Sequence, residues 1–151
     1  MSPPVLYYLD DLHIGQRFMS GEHALDKDQI KAYAAAFDPQ PFHLDERAAQ
    51  DSMFGGLAAS GWHVAAITMR LLVDGGAPIA GGLIGAGGEM QWPSPTRPDD
   101  VLRAESEVID IHPSRSKPDR GIVTLRTVTS NQHGERRQVW TVKLVVFRRP
   151  A

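Results

Sequence analysis

From Trp140 to Val146 apolar and polar positions alternate: Trp140, Val142, Leu144 and Val146 fall on one side of an extended chain, Thr141 and Lys143 on the other. That period of two predicts a strand with one face buried. Three more segments, "GLIGAGGEMQW", "VLRAESEVIDI" and "GIVTLRTVTS", carry strand patterns, and "PSPTRPDD", "HPSRSKPDR" and "NQHGER" separate them with turn formers. Four long strands in succession predict an antiparallel sheet.

Upstream the period changes. In "LDKDQIKAYAAAF" Asp26 can cap a helix, Gln29 follows three residues later, and Ile30, Tyr33, Ala34 and Phe37 share one helical face. From Gly61, "GWHVAAITMRLLV" puts Val64, Ile67, Thr68, Leu71 and Leu72 on one face. Its other sides are small or apolar, so this helix expects cover nearly all round. Ser60 is placed as its N-cap, and "DGGAP" ends it. Between the two helices, "DERAAQ" predicts a short helix begun by Asp45, and "MFGGLAAS" an open loop. The first ten residues predict a short strand, and "HIGQRF" a glycine turn into "MSGEHAL". No segment repeats, and the economical organisation is a single domain over residues 1–151. The class is α+β, an antiparallel sheet wrapped on one central helix.

A chain of 151 residues can bury a full core without staples. It has no cysteine, which removes disulfides, thiolate zinc sites and a cysteine nucleophile together. Sixteen basic residues against eighteen acidic ones give a net charge of -2, so no global field favours nucleic acid or an anionic membrane. The start lacks a basic region followed by an apolar run, and the most apolar segment is interrupted by His63 and Arg70. These features predict a cytoplasmic protein with neither membrane nor nucleic acid as partner. The "RSKPDR" and "ERR" segments read as solvated turns, and "GAGGEM" as a strand with close backbone approach.

The chemistry concentrates where the first helix breaks, at "FDPQPFHLDE". Pro39 pushes Asp38 out of helical geometry, and Pro41 is expected to keep the chain extended past Gln40. A loop stiffened in this way can hold an acid and a base, Asp38 and His43, in fixed relation. An aspartate before proline is also a common turn former, and a single histidine more often packs than catalyses. His43, Asp45 and His63 lack the spacing of a metal site, so no metal is expected, and Asp45 reads better as a helix cap.

"YAAAFDPQPFHLDERAA" followed by "ASGW" resembles the signature of the MaoC-like dehydratases, the (R)-specific enoyl-CoA hydratase branch of the hot-dog superfamily. Asp38, Pro41, His43, Asp45, Ala48, Phe54 and Gly61 stand at matching positions, and "GGEMQWPSPTRPDDVLRAESEV" is similar to a later strand, turn and strand of that family. Gln40, Phe37, Phe42 and Ser60 depart from the usual residues, which bears on the shape of the substrate pocket.

The resemblance implies the hot-dog fold, a central helix wrapped by an antiparallel sheet, and a homodimer or higher homo-oligomer with its site at the interface. It implies reversible addition of water to a trans-2-enoyl thioester, giving the (R)-3-hydroxyacyl thioester. Asp38 would take a proton from the attacking water and His43 would deliver one to C2. Backbone N–H groups of Gly61 and Trp62 would stabilise the thioester oxygen, and glycine at 61 would let the thioester approach closely. Phe37, Gln40, Phe42, Phe54 and Ser60 would line the substrate pocket. No cofactor is implied beyond coenzyme A as part of the substrate, and the thioester could equally be carried by acyl carrier protein. A hot-dog thioesterase and a non-catalytic acyl-thioester binding subunit are the alternatives.

Overall fold

In the computed structural model, which describes residues 5–151, five strands form one sheet. They are β1 (Arg17–Ala24), β2 (Ile84–Gln91), β3 (Val101–Pro113), β4 (Arg120–Ser130) and β5 (Arg136–Phe147). The spatial order is β1-β3-β4-β5-β2, with every neighbouring pair antiparallel. The alternation that predicts β5 is realised: Val142, Leu144 and Val146 are buried, Trp140 is half-buried and Lys143 is exposed. Close backbone approach in "GAGGEM" is realised too, since a Cβ on Gly88 would lie 2.3 Å from the Thr141 carbonyl oxygen.

The sequence reading misses β1. It is an edge strand in which only Ser20 is buried, and a bulge between Met19 and Glu22 breaks its period. In place of the strand expected in the first ten residues there is a single parallel bridge from Tyr7 to Ile79, then a 3₁₀ turn at Leu9–Asp11. Residues 1–4 of that expected strand lie outside the described residues.

Among the described residues there are also four α-helices: α1 (Lys27–Phe37), α2 (Pro41–Leu44), α3 (Glu46–Gln50) and α4 (Gly61–Leu71). Asp26 caps α1, accepting the Gln29 N–H at 2.8 Å. The α1 stripe is narrower than expected: Ile30 and Ala34 are buried, but Phe37 is 77% exposed. Helix α4 lies on the sheet through Val64, Ile67, Thr68 and Leu71, packed with Leu102, Val108, Leu125, Val142 and Leu144. Each such side chain contributes about 1.5–3 kcal/mol on burial, so this layer holds the helix in place. A π turn over Leu72–Gly76 ends it.

Cover around α4 is not complete. Trp62 in its first turn is 62% exposed, and Val73, in the turn that follows the helix, is 64% exposed. Polar groups also enter the core. Thr68 Oγ1 pairs with Thr129 Oγ1 at 2.7 Å, and the fully buried Gln138 donates to Thr68 at 3.2 Å. The "ERR" segment is no solvated turn: Arg137 is buried on β5 and its Nε donates to the equally buried Asp100 at 3.0 Å. A buried guanidinium needs such a partner. Among the described residues no helix is long and apolar enough to cross a membrane.

Candidate active site

Asp38 closes α1. Its N–H still bonds the Ala34 carbonyl at 2.8 Å, but its φ of -151° and ψ of 65° have left the helix, as Pro39 requires. Past Gln40 the chain does not stay extended. Pro41 takes the first position of α2, where its fixed φ suits a helix start and its missing N–H costs nothing. This single turn swings His43 inward, to 5% exposure. Asp45 then caps α3, accepting from the backbone N–H of Arg47 at 2.8 Å and of Ala48 at 3.3 Å.

The His43 ring is oriented at both nitrogens. Nδ1 lies 2.6 Å from the Ala58 carbonyl oxygen, which can only accept, so Nδ1 carries a proton and donates it there. That leaves Nε2 facing Asp38 Oδ2 at 3.3 Å. Burial by itself would raise the Asp38 carboxyl. The Ser60 hydroxyl, the Gln40 amide and the positive charge that His43 can carry outweigh it and hold Asp38 below the usual carboxylate range. Asp38 is therefore ionised at neutral pH.

Ser60 occupies the N-cap position of α4 but makes no side-chain cap bond. Its hydroxyl is fully buried and faces Asp38 without closing a hydrogen bond of good geometry. His63, by contrast, points to the opposite side and stacks on Tyr33, with ring centroids 4.5 Å apart. No three histidine, aspartate or glutamate side chains converge as metal ligands among the described residues.

Asp38 and His43 open onto a cavity of about 630 Å³. Of the residues selected from sequence, Gln40, Phe42, Phe54, Gly61 and Trp62 line it. Phe37 does not: as the last residue of α1 it lies outward against Tyr33, centroids 5.3 Å apart. Ser60 is buried behind Asp38 rather than on the wall.

Three contributors were not legible in the sequence. Met53 and Trp92 are cavity walls. Trp92 also fills the space beside Gly61, where a Cβ would meet its Cε2 at 2.5 Å, so the missing side chain at 61 admits an indole rather than leaving an open approach. Arg97 donates to the carbonyl oxygens of Phe54, of Gly56 at 2.8 Å and of Leu57 at 3.3 Å, fixing the loop that carries Phe54 and leads to Ala58. These roles come from contacts between distant segments. The one local signal was a tryptophan at a strand end, stiffened by the following Pro93.

The model of the MaoC like domain family matches residues 12–131. The protein YdeM of Bacillus subtilis (strain 168) is 39% identical over 127 residues, 82% of this chain and 87% of that protein. The crystal structure of a MaoC-like dehydratase from Rhodospirillum rubrum superposes with a TM-score of 0.95 at 60% identity, covering 96% of this chain and 99% of that one. The (R)-hydratase from A. caviae involved in PHA biosynthesis superposes with a TM-score of 0.69 at 26% identity, covering 91% and 98%.

Proposed function

This chain belongs to the MaoC-like domain family, with the hot-dog fold, and on that premise we propose that it adds water reversibly to a trans-2-enoyl thioester, with coenzyme A as the carrier. The observation that carries the reading is the pair of Asp38 Oδ2 and His43 Nε2, 3.3 Å apart in the lining of a largely apolar cavity. Two such groups can hold one water between them. Among the described lining residues no lysine or arginine is present, which suits an uncharged acyl chain.

In the hydration direction, the ionised Asp38 accepts a proton as the water oxygen bonds to C3. His43 starts as the cation, with a second proton on Nε2 beside the ionised Asp38; it delivers that proton to C2, and transfer from Asp38 back to His43 restores the pair, so one water is consumed and nothing else changes. The Ala58 carbonyl keeps the ring turned so that Nε2 faces the substrate throughout. The first N–H groups of α4, at Gly61 and Trp62, would stabilise the negative charge that builds on the thioester oxygen. The active unit is a homodimer.

The test is loss of the conjugated absorbance when pure protein meets enoyl-CoA thioesters of graded length. Asp38→Asn and His43→Gln should each cost at least about a hundredfold in turnover. Because both groups act on one water, the double variant should be little worse than either single one. If the two losses multiply, or if Asp38→Asn unfolds while its folded fraction keeps full specific activity, the pair is a turn and its packing partner.

A further inference from the structure

Trp92 follows the last residue of β2 and precedes Pro93, so its backbone has little freedom. Its indole Nε1–H donates to Gln138 Oε1 at 3.0 Å. Gln138 is fully buried, and its amide nitrogen donates in turn to Thr68 Oγ1 at 3.2 Å, which pairs with Thr129. An unmade bond to a buried amide is costly, so this relay holds the indole in one orientation. The edge of Trp62 meets it with centroids 5.4 Å apart. The ring presses on Gly61 so closely that a Cβ there would lie 2.8 Å or less from Cε2, Cδ2 and Cζ2.

Trp92, Gly61, Asp38 and His43 all line the same cavity. The indole is thus a rigid wall beside the first N–H groups of α4, one bond from the Cα it covers. A thioester oxygen bound there brings the carbonyl carbon and then C2 up against that wall. From this geometry we propose that Trp92, locked by Gln138, is a specificity-determining residue that selects enoyl thioesters without a substituent at C2. The proposal rests on the hydratase reading and on the placement of the thioester oxygen at the start of α4.

The experiment compares trans-but-2-enoyl-CoA with its 2-methyl counterpart in the wild-type chain, Trp92→Phe and Trp92→Ala. One methyl group against a rigid apolar wall should favour the unbranched substrate about tenfold or more in kcat/KM. Trp92→Ala should bring that ratio close to one by raising turnover of the 2-methyl substrate, and Trp92→Phe should fall between. Gln138→Leu, which frees the indole, should lower the ratio without shortening any wall. A ratio that stays the same in Trp92→Ala overturns the proposal. If the wild-type chain hydrates neither substrate, the hydratase reading fails, and the wall is judged by calorimetric binding of butanoyl-CoA and 2-methylbutanoyl-CoA. Tighter binding of the branched ligand alone in Trp92→Ala supports the wall, and equal changes for both refute it. Should Trp92→Ala not fold, the same criteria apply to Trp92→Phe.

Discussion

A proton on His63 Nδ1 would have no hydrogen-bond partner among the described residues. The side chain is 8% exposed, its Nδ1 makes no hydrogen bond, and its ring lies flat on Tyr33. Burial first, and the nearby His23 second, push its pKa from 6.5 down to about 4. The unfolded chain therefore takes up this proton before the folded one does. His63 contributes stability that is whole above about pH 6.5 and is lost as the pH falls toward about 4. Between pH 7.5 and 5 the loss should be about 2 kcal/mol. His63→Phe keeps an aromatic ring on Tyr33 and removes the titration, so its urea midpoint should fall less over that interval. If both proteins lose stability equally, His63 is not held neutral. Asp38 is the contrasting residue, its side chain 17% exposed at the cavity and kept ionised by its neighbours. One site keeps its ring neutral and the other is built for charge, which is why only the second can carry proton transfer.

At the scale of the elements, the two edge strands differ in what their glycines do. A Cβ at Gly88 of β2 would lie 2.3 Å from the Thr141 carbonyl oxygen and 2.9 Å from the Val142 Cα, both backbone atoms that cannot give way. At Gly21 of β1 it would meet nothing within 4 Å. Gly88→Ala should therefore cost about 3 kcal/mol in chemical denaturation, whereas Gly21→Ala should stay within about 0.5 kcal/mol. Equal effects would show that the β2–β5 approach is not as tight as this spacing requires. The same difference explains what was legible beforehand. In β3, β4 and β5 one buried face imposes strict alternation, so Val142, Leu144 and Val146 announce their strand. Strand β1 buries little and is bulged, so "RFMSGEHA" carries no such signal. The Asp38–His43 pair was legible because two local prolines determine it. Pro41 on its own predicts an extended chain, although the same fixed φ starts a helix equally well, and context decides for the helix. Trp92 was invisible as a wall because its position is set by Gly61 and Gln138, both remote in sequence.

For the whole molecule, the exposed start of α4 and the edge of β2, unpaired among the described residues, offer a surface that a second copy would cover. Every β2 residue except Met90 is exposed, and Trp62 at the start of the central helix, which meets Trp92 just past β2, is 62% exposed. An unpaired edge rich in glycine, beside exposed tryptophan, is a template for pairing rather than a finished surface. A stable dimer needs about 800 Å² from each chain, roughly a tenth of a small protein's surface. Roughly a tenth of the 8741 Å² this chain exposes would meet that requirement. Met53, 93% exposed at the cavity rim, and Trp62 would then be covered, so that association dries the site as well as stabilising the fold. Sedimentation at micromolar concentration should give twice the 16.6 kDa of one chain. Dilution to the point of dissociation should lower the specific activity, because Trp62 and the start of α4 would lose their cover. A clean monomer with full specific activity would show that one chain makes a complete site, and the free edge of β2 would then need another occupant.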